Sequence, residues 1–213
     1  MEILKGENLS HSFEFPLFKN IKLSLNSGES SAILGVSGCG KSTLLHIFCT
    51  LLKPNNGEIF YKDKSIYNLN SDEILKIRRN DFGIIFQSHY LFKGFLAIEN
   101  IELATILSKQ KFDNEICKKF KIDEILHQKV GELSGGQQQR VSITRVLSKK
   151  PKVIFADEPT GNLDKNTAND VMEVIFEYIK QNDATLFLVT HDENLASKCT
   201  NKFLLNDQKL NKI

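Results

Sequence analysis

The sequence predicts an α/β fold built on a mainly parallel sheet, with a small antiparallel β layer beside it and a helical insert. Three observations lead there. Four short apolar runs, Ser31-Ala-Ile-Leu34, Gly83-Ile-Ile-Phe86, Val153-Ile-Phe-Ala156 and Thr185-Leu-Phe-Leu-Val189, have the length and composition of buried strands, and helical patterns lie between them. Each run leads directly into polar residues: Gly35 to Ser42 after the first, Gln87 after the second, Asp157-Glu158 after the third and Thr190-His191 after the fourth. Open α/β sheets bind ligands at the carboxyl ends of their strands, so these endings are expected to share one crevice. The composition agrees: of 213 residues 41% are hydrophobic and 25% charged, which suits one large globular domain with an insert.

Taken in chain order, residues 3–26 contain alternating stretches such as Ile21-Lys-Leu-Ser-Leu25, and Gly57-Glu-Ile-Phe-Tyr61 is similar; together they form the expected antiparallel layer. The first buried strand is followed by a helix over 41–52, with Leu44, Leu45, Ile47, Phe48 and Leu51 for burial and Pro54 as its stop. After the second strand the pattern turns to amphipathic helix, with Ile98, Ile101 and 103–107 on one segment and Ile122, Ile125 and Leu126 on a later one. A further helix runs from 135 to about 150, buried through Val141, Ile143, Val146 and Leu147, with Pro151 beyond it. The reading is a single domain over 1–213, whose core and β layer comprise 1–87 and 131–213 and whose helical subdomain spans about 88–130.

Several function classes are disfavoured. With 28 Lys+Arg against 26 Asp+Glu the formal charge is +2, so the electrostatic footprint of a nucleic-acid binder is missing and no such partner is expected. The strongest apolar stretch, 44–52, is interrupted by His46 and Thr50, whereas a bilayer-spanning helix needs roughly 20 mostly apolar residues. The N-terminus has no basic and apolar leader, which leads to the expectation of a cytoplasmic protein. Cys39, Cys49, Cys117 and Cys199 are scattered without metal-site spacing and read as reduced thiols, Cys39 alone being placed where a redox role is conceivable.

Gly35-Val-Ser-Gly-Cys-Gly-Lys-Ser42 fits G-x-x-x-x-G-K-[ST] between a strand and a helix. Its glycines let successive backbone N–H groups turn inward as an anion nest, to which the helix N-terminus adds about half a positive charge. A triphosphate is the natural guest. Lys41 is then expected to reach the β- and γ-phosphates, and the Ser42 hydroxyl to hold Mg²⁺, a cation that prefers hard oxygen ligands. Asp157 supplies the carboxylate expected to hold Mg²⁺ through water, and Glu158 is a candidate general base for an attacking water. Leu133-Ser-Gly-Gly-Gln137 opens another helix: Ser134 and Gln137 have capping-box spacing, and Gly135 and Gly136 would let an anion approach the backbone. On chemistry alone this segment reads equally as a well-capped structural helix.

The ordered set of the P-loop 35–42, Gln87, Leu133-Ser-Gly-Gly-Gln-Gln-Gln-Arg140, Val153-Ile-Phe-Ala-Asp-Glu158, Asn162-Leu-Asp164 and His191 resembles the nucleotide-binding domain of ABC transporters over essentially the whole chain. The resemblance implies a P-loop NTPase with a RecA-like core, ATP and Mg²⁺ as cofactors, and ATP hydrolysis coupled to transport. It also implies a head-to-tail homodimer on ATP binding, in which each ATP lies between Gly35, Val36, Ser37, Gly38, Cys39, Gly40, Lys41, Ser42 and Thr43 of one copy and Ser134, Gly135, Gly136 and Gln137 of the other. Phe13 is implied to stack on adenine, the alternative being plain packing in the β layer. Gln87 is implied to touch Mg²⁺ and report to separate transmembrane permease subunits, Glu158 to polarise water, His191 to contact the γ-phosphate, and Asp164 to communicate across the dimer. The run Tyr90-Leu-Phe-Lys-Gly-Phe-Leu96 has two open readings, core of the insert or groove for a membrane subunit.

Thr-Gly-Asn-Leu-Asp164 is similar to the branch of lipoprotein-releasing LolD-type ATPases and the related MacB-type export and FtsE-type cell-division ATPases. The LolD-type resemblance implies a peripheral subunit on the cytoplasmic face of a bacterial inner membrane, the alternatives being an FtsE-like switch or a MacB-like exporter. Gln208 stands at a turn where relatives usually carry Gly, and Thr144 and Val146 replace the customary alanines of the signature helix. The hairpin-like close after Phe203 leads to no expectation of an appended regulatory domain.

Overall fold

The computed structural model of the chain describes residues 1–161 and 163–213. Two sheets share a core with the helix that follows the third strand. The first comprises β1 (Glu2–Ser12), β2 (Pro16–Asn26), β4 (Asn56–Tyr61) and the two-residue β5 (Lys64–Ser65), all antiparallel, in the order β2-β1-β4-β5. The second has the order β10-β9-β3-β8-β7-β6, from β3 (Ser30–Leu34), β6 (Phe82–Ile85), β7 (Val153–Asp157), β8 (Thr185–Val189), β9 (Asn201–Asn206) and β10 (Lys209–Lys212). Its neighbours are parallel except for the final β9–β10 hairpin. The expected mainly parallel α/β architecture with an antiparallel layer is what the chain adopts.

Strand periodicity explains why one sheet serves two cores. Successive side chains point to opposite faces. Ile154 and Ala156 of β7 and Leu186 and Leu188 of β8 face one core, which they share with α5 (Gly135–Leu147), α6 (Lys165–Asn182) and α7 (Glu193–Ser197). Val153, Phe155, Phe187 and Val189 face the other, which they share with α1 (Lys41–Phe48) and the antiparallel layer. A row of aromatic contacts, Tyr61–Phe82–Phe155–Phe187–Phe48, runs through this second core with centroids 5.1–6.1 Å apart. Doubly buried strands must be apolar on both sides, which is why they appear in the sequence as unbroken runs.

The helices depart from expectation mainly at their ends. α1 stops at Phe48, not at residue 52, because Thr50 takes a left-handed conformation (φ 68°). α5 stops at Leu147, and Lys150 (φ 55°) makes the turn before Pro151. Between 88 and 130 lie α3 (Ala97–Ser108) and α4 (Asn114–Lys119); Ile122, Ile125 and Leu126, read as helical, belong to a buried turn around a short 3₁₀ segment, Asp123–Ile125. α2 (Ser71–Asn80) is started by a reciprocal Asn70–Glu73 capping box. At the β9–β10 turn Asp207 and Gln208 both have positive φ (47° and 64°), the conformation of a two-residue hairpin turn in which glycine is the easier choice. The four cysteines are free.

Candidate functional site

A cleft of about 520 Å³ opens at the carboxyl ends of β3, β6, β7 and β8. Phe13, Leu17, Ser37, Gly38, Gly40, Lys41, Ser42, Thr43, Gln87, Asp157, Glu158, Val189 and His191 line it, so all four strand endings meet there.

The loop between β3 and α1 is shaped by backbone that excludes side chains. A Cβ on Gly35 would lie 2.5 Å from the Leu205 carbonyl oxygen and 2.8 Å from Cys39 Sγ. Gly40, the N-cap of α1, has φ 103° and no side chain caps the helix, which leaves its first N–H groups available to an anion. Lys41 folds back over the loop, donating from Nζ to the carbonyls of Gly35 (2.8 Å) and Val36 (2.9 Å). Ser42 donates to Asp157 Oδ1 at 3.0 Å. Burial lifts the Asp157 carboxyl above the usual carboxylate range, and the Ser42 bond opposes that lift. Ser42 and Asp157 thus bring two hard oxygen donors together, a donor set that fits Mg²⁺.

Glu158 follows β7 in a left-handed conformation (φ 46°), fixed by its N–H bonding to the Val189 carbonyl at 2.9 Å. Its carboxylate accepts from the buried Thr190 hydroxyl at 3.3 Å and pairs with His191 Nδ1 at 2.8 Å. Glu158 is largely buried while His191 is exposed, so the two meet at the cleft wall. Gln87 enters from the end of β6 and lies beside Gly161, whose Cβ position is 3.4 Å from Gln87 Nε2. Phe13 is 66% exposed and stacks edge-on against His11 at 4.9 Å. It is therefore a cleft-wall ring and no part of the β-layer core.

Ser134, Gly135, Gly136 and Gln137 are not among the residues lining this cleft. They form the start of α5, where Ser134 and Gln137 cap each other reciprocally, with Ser134 N–H to Gln137 Oε1 at 2.8 Å and Gln137 N–H to Ser134 Oγ at 3.3 Å. Among the described residues outside the helix's own backbone and its chain neighbours, no heavy atom comes within 4 Å of a Cβ built on Gly135, so that side of the helix start is open. Asp164 caps α6, accepting from the N–H groups of Asn166 and Thr167 at 3.1 Å, and bonding to Thr167 holds its carboxyl below the usual range. Asn162 of the same motif lies outside the described residues. Sequence reasoning did not single out Leu17 or Val189 as cleft residues, nor Thr190 as a partner of Glu158. Thr190 carried a usable signal, being polar directly after a buried strand; Leu17 and Val189 read only as parts of apolar strand patterns.

Comparison with known proteins points in one direction. The family model described as ABC transporter matches residues 18–161. The lipoprotein-releasing system ATP-binding protein LolD of Rickettsia bellii is 43% identical over 199 residues, covering 90% of this chain and 87% of that protein. The macrolide export ATP-binding/permease protein MacB of Wolinella succinogenes is 39% identical over 200 residues, which is 91% of this chain but only 31% of that relative, so the chain spans about a third of its length. Among solved structures, a dimeric ATP-binding cassette in a post-hydrolysis state bound to ADP and Pi superposes with a TM-score of 0.90 at 32% identity, covering 99% of this chain and 98% of that one.

Proposed function

This chain belongs to the ABC transporter family, and from that premise we propose that it is the ATP-hydrolysing subunit of a complex that releases lipoproteins from a bacterial inner membrane. The observation that carries the reading is the meeting, in one cleft, of the Lys41 ammonium, the Ser42–Asp157 oxygen pair and the Glu158–His191 pair. In this reading Phe13 stacks on adenine, Gly35 to Thr43 wrap the phosphates, and Lys41 exchanges its carbonyl partners for phosphate oxygens. Ser42 and Asp157, with Gln87, would hold Mg²⁺, which supplies charge neutralisation on the phosphates. Glu158, kept in place by Thr190 and His191, takes the proton of the attacking water, and His191 contacts the γ-phosphate.

The second half of the site is supplied by another copy. Ser134, Gly135, Gly136 and Gln137 are outside the cleft of their own chain, and a relative of 0.90 TM-score is dimeric. A head-to-tail pair would bring each α5 start onto the partner's ATP, with two identical sites formed together and Asp164 close to the seam. The helical subdomain of about 88–130, whose α3 packs on the signature helix, then contacts separate transmembrane permease subunits. Among the described residues no helix is long and apolar enough to cross a membrane, which favours a peripheral subunit. The similarity to the cassette part of MacB keeps export as a second reading.

Glu158→Gln should slow ATP turnover by about 10²–10⁴-fold while leaving ATP-driven dimerisation intact. Normal hydrolysis by that variant removes Glu158 from the mechanism. Isolation of the complex from membranes separates the biological readings: lipoprotein-releasing subunits favour the first, a macrolide-export permease the second, and cell-division proteins would point to a switch instead of a transporter.

A further inference from the structure

The turn that follows Gln87 is fastened to α5 along much of that helix. Gln139, buried, donates from Nε2 to the Pro159 carbonyl at 2.6 Å and to the Phe86 carbonyl at 3.5 Å. Ser142 donates to the His89 carbonyl at 3.0 Å, and Arg145 donates to the carbonyls of His89 (3.2 Å) and Tyr90 (2.8 Å). The only member of the set that reaches the helix start is a side chain from the turn: His89 Nε2 lies 2.9 Å from the Gly135 carbonyl oxygen. A carbonyl can only accept, so Nε2 carries the proton and the ring donates. Burial, then the charges of Arg145 and Lys93, hold the imidazole below its ordinary range, which keeps it neutral at pH 7 with that single N–H.

The geometry points to His89 as a positioning residue for the second half of the ATP site: by holding the Gly135 carbonyl it aims the Gly136 N–H at the partner's nucleotide. In a trans peptide the C=O and N–H of one plane point in opposite directions. Anchoring the Gly135 oxygen on the protomer's own side therefore turns the Gly136 N–H out through the open end of α5. Two adjacent glycines make this first-turn peptide easier to rotate than any other pair would, so a second hold beside the helix bond sharpens its direction. The Ser134–Gln137 capping pair fixes the peptides on the N-terminal side of Ser134 and of Gln137, and His89 adds a second bond to the Gly135 carbonyl, which already lies in the first turn of α5. The same bond joins the Gln87 turn to the signature segment, so a displacement of one is felt by the other.

This inference rests on the two-copy reading of the site, and the experiment separates the two. In full-length chain carrying Glu158→Gln, monomer affinity for a fluorescent ATP analogue and the ATP–Mg²⁺-driven dimer dissociation constant are measured with His89, with His89→Ala and with His89→Gln. One hydrogen bond to a phosphate-binding peptide is worth about tenfold, so with two sites per dimer His89→Ala is expected to weaken dimerisation by roughly 100-fold. Monomer affinity should change less than about twofold, since His89 does not line the cleft. Gln, whose amide nitrogen reaches nearly as far, should restore most of the loss, and a merely structural defect would not be rescued so. Unchanged dimerisation of His89→Ala, or a loss confined to monomer ATP affinity, overturns the inference alone. Failure of the His89-containing Glu158→Gln chain to dimerise overturns the two-copy reading and the inference with it.

Discussion

At the scale of single residues, the cleft is a set of groups held ready by bonds that ATP must replace. Lys41 illustrates this. The residue is nearly buried and its ammonium donates to two loop carbonyls, bonds that phosphate oxygens must replace. A charge-assisted hydrogen bond contributes about 1.5–3 kcal/mol, and Lys41→Ala should therefore weaken ATP binding by roughly 10–100-fold in an equilibrium titration. Unchanged affinity would contradict the assignment of the loop. Glu158 is the complementary case: its positive φ places a carboxylate where the strand direction alone would not, and Thr190 and His191 take up both carboxylate oxygens. Backbone in that region costs on the order of 1–3 kcal/mol for a non-glycine residue, a cost that surrounding bonds such as Glu158 N–H to Val189 must offset.

At the scale of elements, the loop between β3 and α1 depends on β9 as much as on its own glycines. Gly35 passes so close to the Leu205 carbonyl that a methyl group there must push loop and strand apart. Gly38 also has positive φ (79°), but among the described residues beyond its chain neighbours nothing lies within 4 Å of its Cβ position. The two alanine variants should therefore separate. Gly38→Ala is expected to lose about 1–2 kcal/mol, the conformational term alone, whereas Gly35→Ala adds an overpacking term of about 1–3 kcal/mol and reduces ATP affinity too. Urea midpoints that fall by equal amounts would show that β9 gives way freely.

At the scale of the whole molecule, the contacts between α2, β6 and the end of α5 are tied together by one half-buried cation. Lys149 donates from Nζ to the carbonyls of Arg78 (2.9 Å) and Phe82 (2.8 Å), and burial, helped by the charge of Arg145, pushes its ammonium down to about 8. An unfolded lysine titrates near 10.4, so between about pH 8 and 10.4 the unfolded chain binds a proton that the folded chain has released. Stability then rises with pH across that window. Compared with Lys149→Met, the wild-type thermal midpoint should gain with pH between 8 and 10, by roughly 2–4 °C for each kcal/mol. A constant difference between the two proteins would mean that the paired carbonyls keep the ammonium charged.

Much of the fold was legible because doubly buried parallel strands leave an unmistakable trace. Ile154 and Phe155 are fully buried in opposite cores. Polar residues placed directly after such runs, Gln87, Asp157, Glu158 and His191, were legible for the same reason, since strand direction alone carries them to one edge of the sheet. The ends of α1 and α5 were not, because prolines at 54 and 151 lie beyond left-handed residues, Thr50 and Lys150, that already break the helix. Nor were the bonds of His89 to Gly135 and Thr190 to Glu158, which join residues 46 and 32 positions apart. Periodicity reports which face a residue shows to the core; partners distant along the chain are chosen by how the packed elements meet, and that is a property of three dimensions.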